Sequence, residues 1–314
     1  MSGMSASATA TPPEPVRDAA LDRLTTIKVG GTADWFVRAT SFRQCVAALA
    51  WARDRSLPVA IVGKGSNLIV ADEGFRGLAI QLAGRLSSIS VRGRGLWCGG
   101  GASLPRAVQR AANAGLTGLE FGASIPGTVG GAVAMNAGAY ASELKDVLAW
   151  AVICSADGRA RVSPEELELG YRSSSVGSAQ IVAAVGFGLR EGEPEEIAGR
   201  LAEYRHHRRA TQPQGVRTFG SVFTNPAGDS AGRLLEAAGC KELHVGDARF
   251  SPVHANFIEA GREATARDVL ALMREGRRRV LADGGPELEA EVRYLHPTRG
   301  IVRALESAEG GADG

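Results

Sequence analysis

Aromatic side chains are scarce in this chain, at 5% of its 314 residues. An excess of charge of one sign is missing too: 36 Lys and Arg stand against 34 Asp and Glu, a formal balance of +2. Without a basic field or stacking platforms, the composition argues against a general nucleic-acid binder. Cysteines are few and scattered, at Cys45, Cys98, Cys154 and Cys240, with no Cys-x-x-Cys pair. That speaks against a disulfide framework or a zinc site and for free thiols in a reducing cytosol. Long apolar runs are absent, since no segment reaches the roughly 18 uninterrupted apolar residues of a membrane helix, and no membrane insertion is expected. The opening "MSGMSASATATPPEPVRDAA" has small residues and two adjacent prolines but no basic start followed by an apolar core. It reads as a disordered tail, not a signal peptide. No internal repeat is found, and no metal site is expected. The paired His206-His207 are neighbours on a predicted helix and point to different sides of it, which suits a solvated helix end better than a two-His site.

What the chain has instead is an ordinary globular balance, 44% hydrophobic and 22% charged, and 41 glycines. Its length gives room for about two domains with real cores. The glycines concentrate in uncharged stretches. "SIPGTVGGAVAMNAGAY", Ser124 to Tyr140, is nearly all bare backbone and small side chains. Glycine costs conformational entropy on folding, so such a cluster marks a place where something approaches the main chain closely.

Periodicity predicts an α+β chain. "TTIKVGGTADWFVRA" reads as strand, Gly-Gly turn and strand. "SFRQCVAALAWARDRSL" follows as a helix capped by Ser41, then "PVAIVG" as a buried strand ending in the loop "GKGSNLIVADEGFRG". Strands are predicted in "LAIQLA", "SSISVRG" and "GLWCGGGA", and a helix in "SLPRAVQRAANAG". A hairpin turning at Asp157-Gly158 comes next, then a strand near 180–189. "EPEEIAGRLAEYRHHRRATQP" reads as a helix with acids in its first turn and bases in its last. Beyond a break near 190–215, helices are predicted near 230–238 and in "TARDVLALMREGRRRVLADGG", where Thr265 and Asp268 have capping-box spacing. "ELEAEVRYL" reads as a final strand before a Gly-rich tail.

Neither standard nucleotide motif fits. In "GKGSNLIV" the first glycine of a Walker loop is replaced by Pro58, and Lys64 is followed by Gly65 instead of Ser or Thr. In "GGGASLP" Leu104 stands where a dinucleotide fingerprint needs its third glycine. Tight turns would account for either loop alone. Their combination points further: Gly63, Gly65, Ser66 and Asn67 follow a buried strand, so their amides can form an anion-binding nest. Ile125, Pro126, Gly127, Thr128, Gly130 and Gly131 supply a second uncharged wall.

"GKGSNLIVADEGFRGLAI" joined to "LEFGASIPGTVGGAVAMNAGAY" closely resembles the UDP-N-acetylenolpyruvoylglucosamine reductase family. The likeness runs on through "GYRSS", "FGSVFTNP", "AGRLLEAAGC", "HANFI" and "LEAEVRYL", in family order, over about residues 24–295. The resemblance implies an FAD-binding region of the vanillyl-alcohol-oxidase (PCMH) type, followed by a smaller α+β substrate-binding domain. It divides the chain into a tail at 1–20, an FAD-binding region at 21–195 in two lobes (about 21–80 and 81–195), a substrate domain at 196–295 and a tail at 296–314. It implies non-covalent FAD and NADPH as co-substrate, a UDP-sugar enolpyruvyl substrate, a cytoplasmic location and a monomer.

By position in the motifs, the cofactor contacts would be Gly63, Lys64, Gly65, Ser66, Asn67 and Leu68 on one side. Ser124, Ile125, Pro126, Gly127, Thr128, Gly130, Gly131, Asn136 and Gly138 would form the other. Arg172 would bind the substrate carboxylate, Glu291 would act with it, and Ser221 would donate a proton to C2. Tyr171, Asn225, His254 and Asn256 would line the substrate pocket. Glu289 and Glu291 alternate with Leu288, Ala290 and Val292, so periodicity cannot choose between them. The family pattern, Glu before Val-Arg, selects Glu291.

The chain departs from that pattern at Thr224, where lysine is usual, and at Val176 and Ile27, where aromatics are common. The stretch between Arg172 and Ser221 is short and holds only Tyr204, as in the family's shorter form. Two other readings stay open at this point: another flavin oxidoreductase of the same fold, and a flavin-binding relative without turnover.

Overall fold

A computed structural model of the chain describes residues 14–306. The outer parts of the two expected tails, residues 1–13 and 307–314, lie outside these described residues. The first strand, β1 (Val16–Ala20), pairs antiparallel with β2 (Thr32–Ala39). This corrects the expectation of a disordered tail to residue 20: without β1, one side of β2 would leave a row of backbone donors and acceptors unpaired. The strand expected at Thr25–Val29 does not form. That segment lies against a loop instead, with the Thr26 N–H donating to the Gly65 carbonyl at 3.1 Å.

β2, α1 (Phe42–Arg53) and β3 (Val59–Ile61) make the expected strand–helix–strand unit. The Ser41 hydroxyl accepts the Gln44 N–H at 3.3 Å and satisfies an orphan donor of the first turn. α1 buries Cys45, Ala48, Leu49 and Ala52 against Val37, Leu78 and Ile80. Leu68–Val70, expected in a loop, is a fully buried strand, β4. β5 (Phe75–Leu82) then lies parallel to both β2 and β3, giving the order β1-β2-β5-β3.

The second lobe is an antiparallel sheet. β6 (Ile89–Arg92) and β7 (Gly95–Gly99) lie at one side, followed by strands Ile181–Gly188, Leu148–Ser155 and Gly158–Val162. Ser155 pairs with Gly158, so the hairpin turns at Ala156-Asp157, one residue earlier than expected. α2 (Leu104–Ala112) and α3 (Val129–Ala134) pack on this sheet around Leu96, Val108, Val129, Val133 and Val185. α3 lies inside the Gly-rich stretch that was read as loop.

α4 (Pro194–Thr211) is tied back to this lobe by Arg200, whose Nη2 lies 3.0 Å from Oε1 of the buried Glu120. Beyond it, α5 (Ala231–Ala237) and α6 (Ala266–Ala282) pack with the strands Ala248–Phe250 and Ile258–Ala260 around Phe219, Phe223, Leu235, Phe250 and Met273. Both hydrogen bonds of the capping box between Thr265 and Asp268 are present.

The chain then returns to the first lobe. Strand Arg293–His296 runs parallel to β4 and antiparallel to Gly300–Arg303. The tail expected from residue 296 is thus corrected as far as Arg303: the hairpin completes the β4 edge and buries Leu295 fully. The strand expected from Glu287 begins only at Arg293. Upstream, the chain crosses the segment at Val222, and the Glu291 N–H donates to the Val222 carbonyl at 2.9 Å. Among the described residues no helix is long and apolar enough to cross a membrane, and no group of three or more His, Cys, Asp or Glu could hold a metal ion.

Candidate active site

A cavity of about 180 Å³ opens between the two lobes. Ile61 to Lys64 and Gln81-Leu82 line it from the first lobe; Gly100-Gly101, Thr128, Gly130, Gly131 and Ala134 line it from the second. Two observations fit the flavin dinucleotide that the motifs imply. The N–H groups of Lys64, Gly65 and Ser66 meet no acceptor among the described residues, and successive free amides in such a loop attract anionic oxygens. On the facing wall, a Cβ at Gly131 would meet only the Thr128 hydroxyl, at 3.2 Å, so the surface there is bare.

Gly130 is bare for a different reason. A Cβ would lie 2.7 Å from the Val182 carbonyl oxygen and 2.9 Å from that of Gly100, so α3 rests directly on the sheet. The first amides of α3 are spent within the protein. Val129 donates to the Ala102 carbonyl at 2.8 Å, Gly130 to that of Gly100 at 2.7 Å, and Gly131 to the Thr128 hydroxyl at 3.3 Å. The α3 wall therefore contributes shape, while free donors come from the loop after β3. Gly138, too, is kept bare by the protein, 2.5 Å from where a Cβ would meet the Ser142 carbonyl oxygen.

The other expected cofactor residues divide. Lys64 reaches Ser103 with its ammonium at 2.8 Å, and the Ser66 hydroxyl donates to the Pro126 carbonyl at 2.9 Å, joining the two walls. Gly127 stands beside Ser66. Asn67 holds the Glu291 carbonyl at 3.2 Å, and Leu68 is buried in β4. The Ser124 hydroxyl donates to the Tyr204 carbonyl on α4 at 3.3 Å, and Ile125 packs in the second-lobe core. Asn136 is fully buried, and its side chain is engaged by backbone and by Glu143. Gly100, Gly101 and Gln81 were missed. The signal for the two glycines was "GGGASLP", which failed as a fingerprint yet bends a glycine-rich strand end into the cavity; Gln81, inside the strand Phe75–Leu82, gave none.

Arg172 and Glu291, 119 positions apart in sequence, are brought together: Nε lies 3.2 Å from Oε1. Both side chains are about four-fifths buried, at 19% and 21% exposure. Burial pushes the Glu291 carboxyl above the ordinary carboxylate range, against the opposing pull of the Arg172 charge. Arg172 also donates through Nη2 to the Gly138 carbonyl at 2.8 Å. It sits at φ +54°, a left-handed conformation unusual for a side-chain-bearing residue. Arg293 adds a second guanidinium, whose Nε lies 3.3 Å from the Met135 sulfur and whose Nη2 lies 3.5 Å from the Arg172 carbonyl. Sequence reasoning passed over it although it stands in the same Glu-Val-Arg motif.

Ser221 lies in a short bridge to Phe257, and a Cβ on its neighbour Gly220 would come 3.8 Å from the Ser66 carbonyl oxygen. That brings the serine segment to the cofactor loop. Tyr171 is exposed, with the Arg172 guanidinium 4.8 Å from its ring centre. Asn225 accepts the Ala231 N–H at the start of α5. His254 accepts the Asn256 N–H at 3.2 Å, and burial lowers its pKa. Asn256, buried at 4% exposure, accepts the Phe223 N–H at 2.9 Å and donates to the Phe223 carbonyl at 2.8 Å. It holds the segment that carries Ser221. Glu289, the other candidate carboxylate, faces solvent and pairs with Arg303 at 2.7 Å.

Residues 33–163 match the model of an FAD binding domain, and residues 212–295 that of the UDP-N-acetylenolpyruvoylglucosamine reductase C-terminal domain. A relative from Symbiobacterium thermophilum named UDP-N-acetylenolpyruvoylglucosamine reductase 2 is 45% identical over 275 residues, covering 87% of this chain and 89% of its own. One of the same name from an Anaeromyxobacter species is 45% identical over 282 residues, covering 90% and 89%. The crystal structure of the Thermus caldophilus reductase superposes with a TM-score of 0.78 at 38% identity, over 90% of this chain and 98% of that one.

Proposed function

The chain belongs to the UDP-N-acetylenolpyruvoylglucosamine reductase family, and from that premise we propose which of its residues carry the reaction. It is a flavin-dependent oxidoreductase with NADPH as co-substrate. It reduces the enolpyruvyl group of UDP-N-acetylglucosamine enolpyruvate to give UDP-N-acetylmuramate, a peptidoglycan precursor. Its fold is a PCMH-type FAD-binding region followed by the family's C-terminal domain. The FAD-binding region is taken as 21–195 and the substrate domain as 196–295. A cytoplasmic monomer is part of the same proposal.

A bound flavin would supply the hydride chemistry, taking hydride from NADPH for delivery at C3 of the enolpyruvyl group. Negative charge then develops at C2 and spreads into the carboxylate, so the protein must stabilise an enolate and supply a proton. Arg172 offsets that charge with a fixed guanidinium, held to its aim by Gly138 and Glu291. Glu291 acts with Arg172 as a proton-sharing partner for a carboxylate oxygen, and burial, which raises its pKa against the pull of the Arg172 charge, favours that role. Ser221 donates to C2; a neutral hydroxyl is a feeble acid, but a carbon base of this strength takes its proton. The loop at Lys64–Ser66 would hold the cofactor pyrophosphate through its free amides.

The observation that carries this reading is the Arg172–Glu291 pair, assembled from remote positions and tied to the two cavity walls through Asn67 and through the Ser174–Ala134 bond. Anaerobic mixing with NADPH and then with the enolpyruvyl substrate tests it. In Ser221→Ala, reduction by NADPH should persist while reoxidation by substrate falls about 10⁴-fold, the upper end of general-acid effects. Reoxidation within a fewfold of wild type would remove Ser221 from the mechanism.

A further inference from the structure

We infer that Asn136 is a positioning residue for Arg172, acting from the end of the cofactor wall. Asn136 has no solvent exposure and sits at φ +39°, a conformation that asparagine adopts more readily than most residues. Its Nδ2 donates to the Gly170 carbonyl at 2.8 Å and to Glu143 Oε2 at 3.0 Å, and its Oδ1 accepts the Lys145 N–H at 3.0 Å. Gly170 opens the turn that presents Arg172: Gly170 and Ser173 exchange backbone hydrogen bonds at 3.1 and 3.3 Å, leaving Tyr171 and Arg172 at the tip. Ser174 ties the other end of the turn, its hydroxyl donating to the Ala134 carbonyl at 2.8 Å.

The turn that carries the guanidinium is thus gripped by Ala134, Asn136 and Gly138, all at or just past the end of α3. The other end of that short helix, at Gly130 and Gly131, lines the cofactor cavity. One rigid piece of backbone sets both the cofactor wall and the position of the arginine. Such a pin matters for the strained tip, because Arg172 at positive φ stays there only while its surroundings hold it. An amide is required, since it must donate toward Gly170 and Glu143 and accept from Lys145; a carboxylate would set acceptor against acceptor at the first two.

The inference rests on Arg172 being the carboxylate clamp. Asn136→Gly tests it, because glycine tolerates the backbone conformation and only the side-chain ties are lost. Three readings are taken on the holoenzyme: calorimetric affinity of the oxidised form for the enolpyruvyl substrate, the rate of flavin reduction by NADPH, and the rate of reoxidation by substrate. The ratio of reoxidation to reduction should fall about 10- to 100-fold, the scale of an ångström-sized misplacement, and substrate should bind more weakly. In an Arg172→Ala background the same substitution should add little, since both act through one group. An unchanged ratio, equal loss in both half-reactions, or simple multiplication of the two effects would overturn the inference. Should Asn136→Gly fail to fold, Ser174→Ala loosens the same turn from its other end; it should lower the ratio in the same non-additive way, and no fall would be fatal. A wild-type enzyme not reoxidised by the substrate would sink the clamp reading itself, a result distinct from all of these.

Discussion

Replacing Asn256 by alanine should unfold the substrate side of the molecule more than it weakens substrate binding. Its carboxamide satisfies both backbone groups of Phe223, at 2.9 and 2.8 Å, in a place with 4% exposure. Phe223 is itself buried at 1% and packs in the core that contains Leu235, Phe250 and Met273. Truncation strands one buried donor and one buried acceptor, and each such group costs about 1–3 kcal/mol. The expected loss is roughly 2–6 kcal/mol, a large part of the 5–15 kcal/mol that holds an ordinary domain.

Urea unfolding followed by circular dichroism, with FAD in excess, measures this as a shift in midpoint. Asn256→Asp should lose nearly as much, because the acid keeps an oxygen for the Phe223 N–H but sets another against the Phe223 carbonyl. The competing view is that Asn256 touches substrate, as its place in "HANFI" led us to expect. That view predicts near-normal stability and a raised KM. A stability loss under about 1 kcal/mol in the alanine variant would refute the structural argument.

Arg172→Lys should slow reoxidation by substrate far more than reduction by NADPH, because an ammonium cannot reproduce a planar guanidinium contact; equal damage to both half-reactions in stopped-flow traces would assign Arg172 to the flavin or the fold. Denaturation should release all the FAD into the supernatant, since the cavity lining offers glycines, Lys64, Gln81, Thr128, Gln180 and aliphatic side chains but no His or Cys; flavin remaining with the precipitated chain would contradict this. Glu291 makes a pH prediction of definite sign. Its folded pKa is raised, so between the ordinary carboxylate value and that raised value the native state binds more protons than the unfolded one, and stability falls as pH rises. Glu291→Gln removes this titration, so the wild type should lose stability relative to the variant across that window in paired urea titrations; a wild type that gains stability relative to the variant as pH rises would reverse the sign and exclude a raised pKa.

Elements with local signals were legible in the sequence. α1, α5 and α6 each begin at a Ser or Thr whose side chain caps the first turn, and those caps are in place at Ser41, Ser230 and Thr265. α3 was not legible, because Val-Gly-Gly-Ala-Val-Ala has poor helix propensity and six residues cannot hold a helix alone. It forms because Gly130 lets it settle on Gly100 and Val182. β4 and the strand at Arg293–His296 pair across more than two hundred residues, a distance that no window of sequence spans.

The site shows the same division. Alternation along the expected strand puts Glu289 and Glu291 on one side, and only the tertiary partner distinguishes them: Arg303 in solvent for one, the largely buried Arg172 for the other. Asn136 and Asn256 stand in motifs that resemble ligand contacts, yet both spend their amides on the backbone that carries Arg172 and Ser221. The motif residues here are of two kinds, those that face the chemistry and those that fix its frame, and only burial separates them.

That frame explains why cofactor and substrate residues are interleaved along the chain. Asn67, in the cofactor loop, holds the Glu291 carbonyl, while the end of α3, the facing cofactor wall, grips the turn of Arg172. The two halves of the proposed carboxylate clamp are therefore tied to opposite walls of the cavity and meet 3.2 Å apart. Hydride transfer requires donor and acceptor to be set within a fraction of an ångström, and near-attack geometry is worth several kcal/mol of barrier. If the proposed roles hold, suspending the substrate residues from the same backbone that lines the cavity makes the distance between cofactor and substrate a property of one rigid assembly.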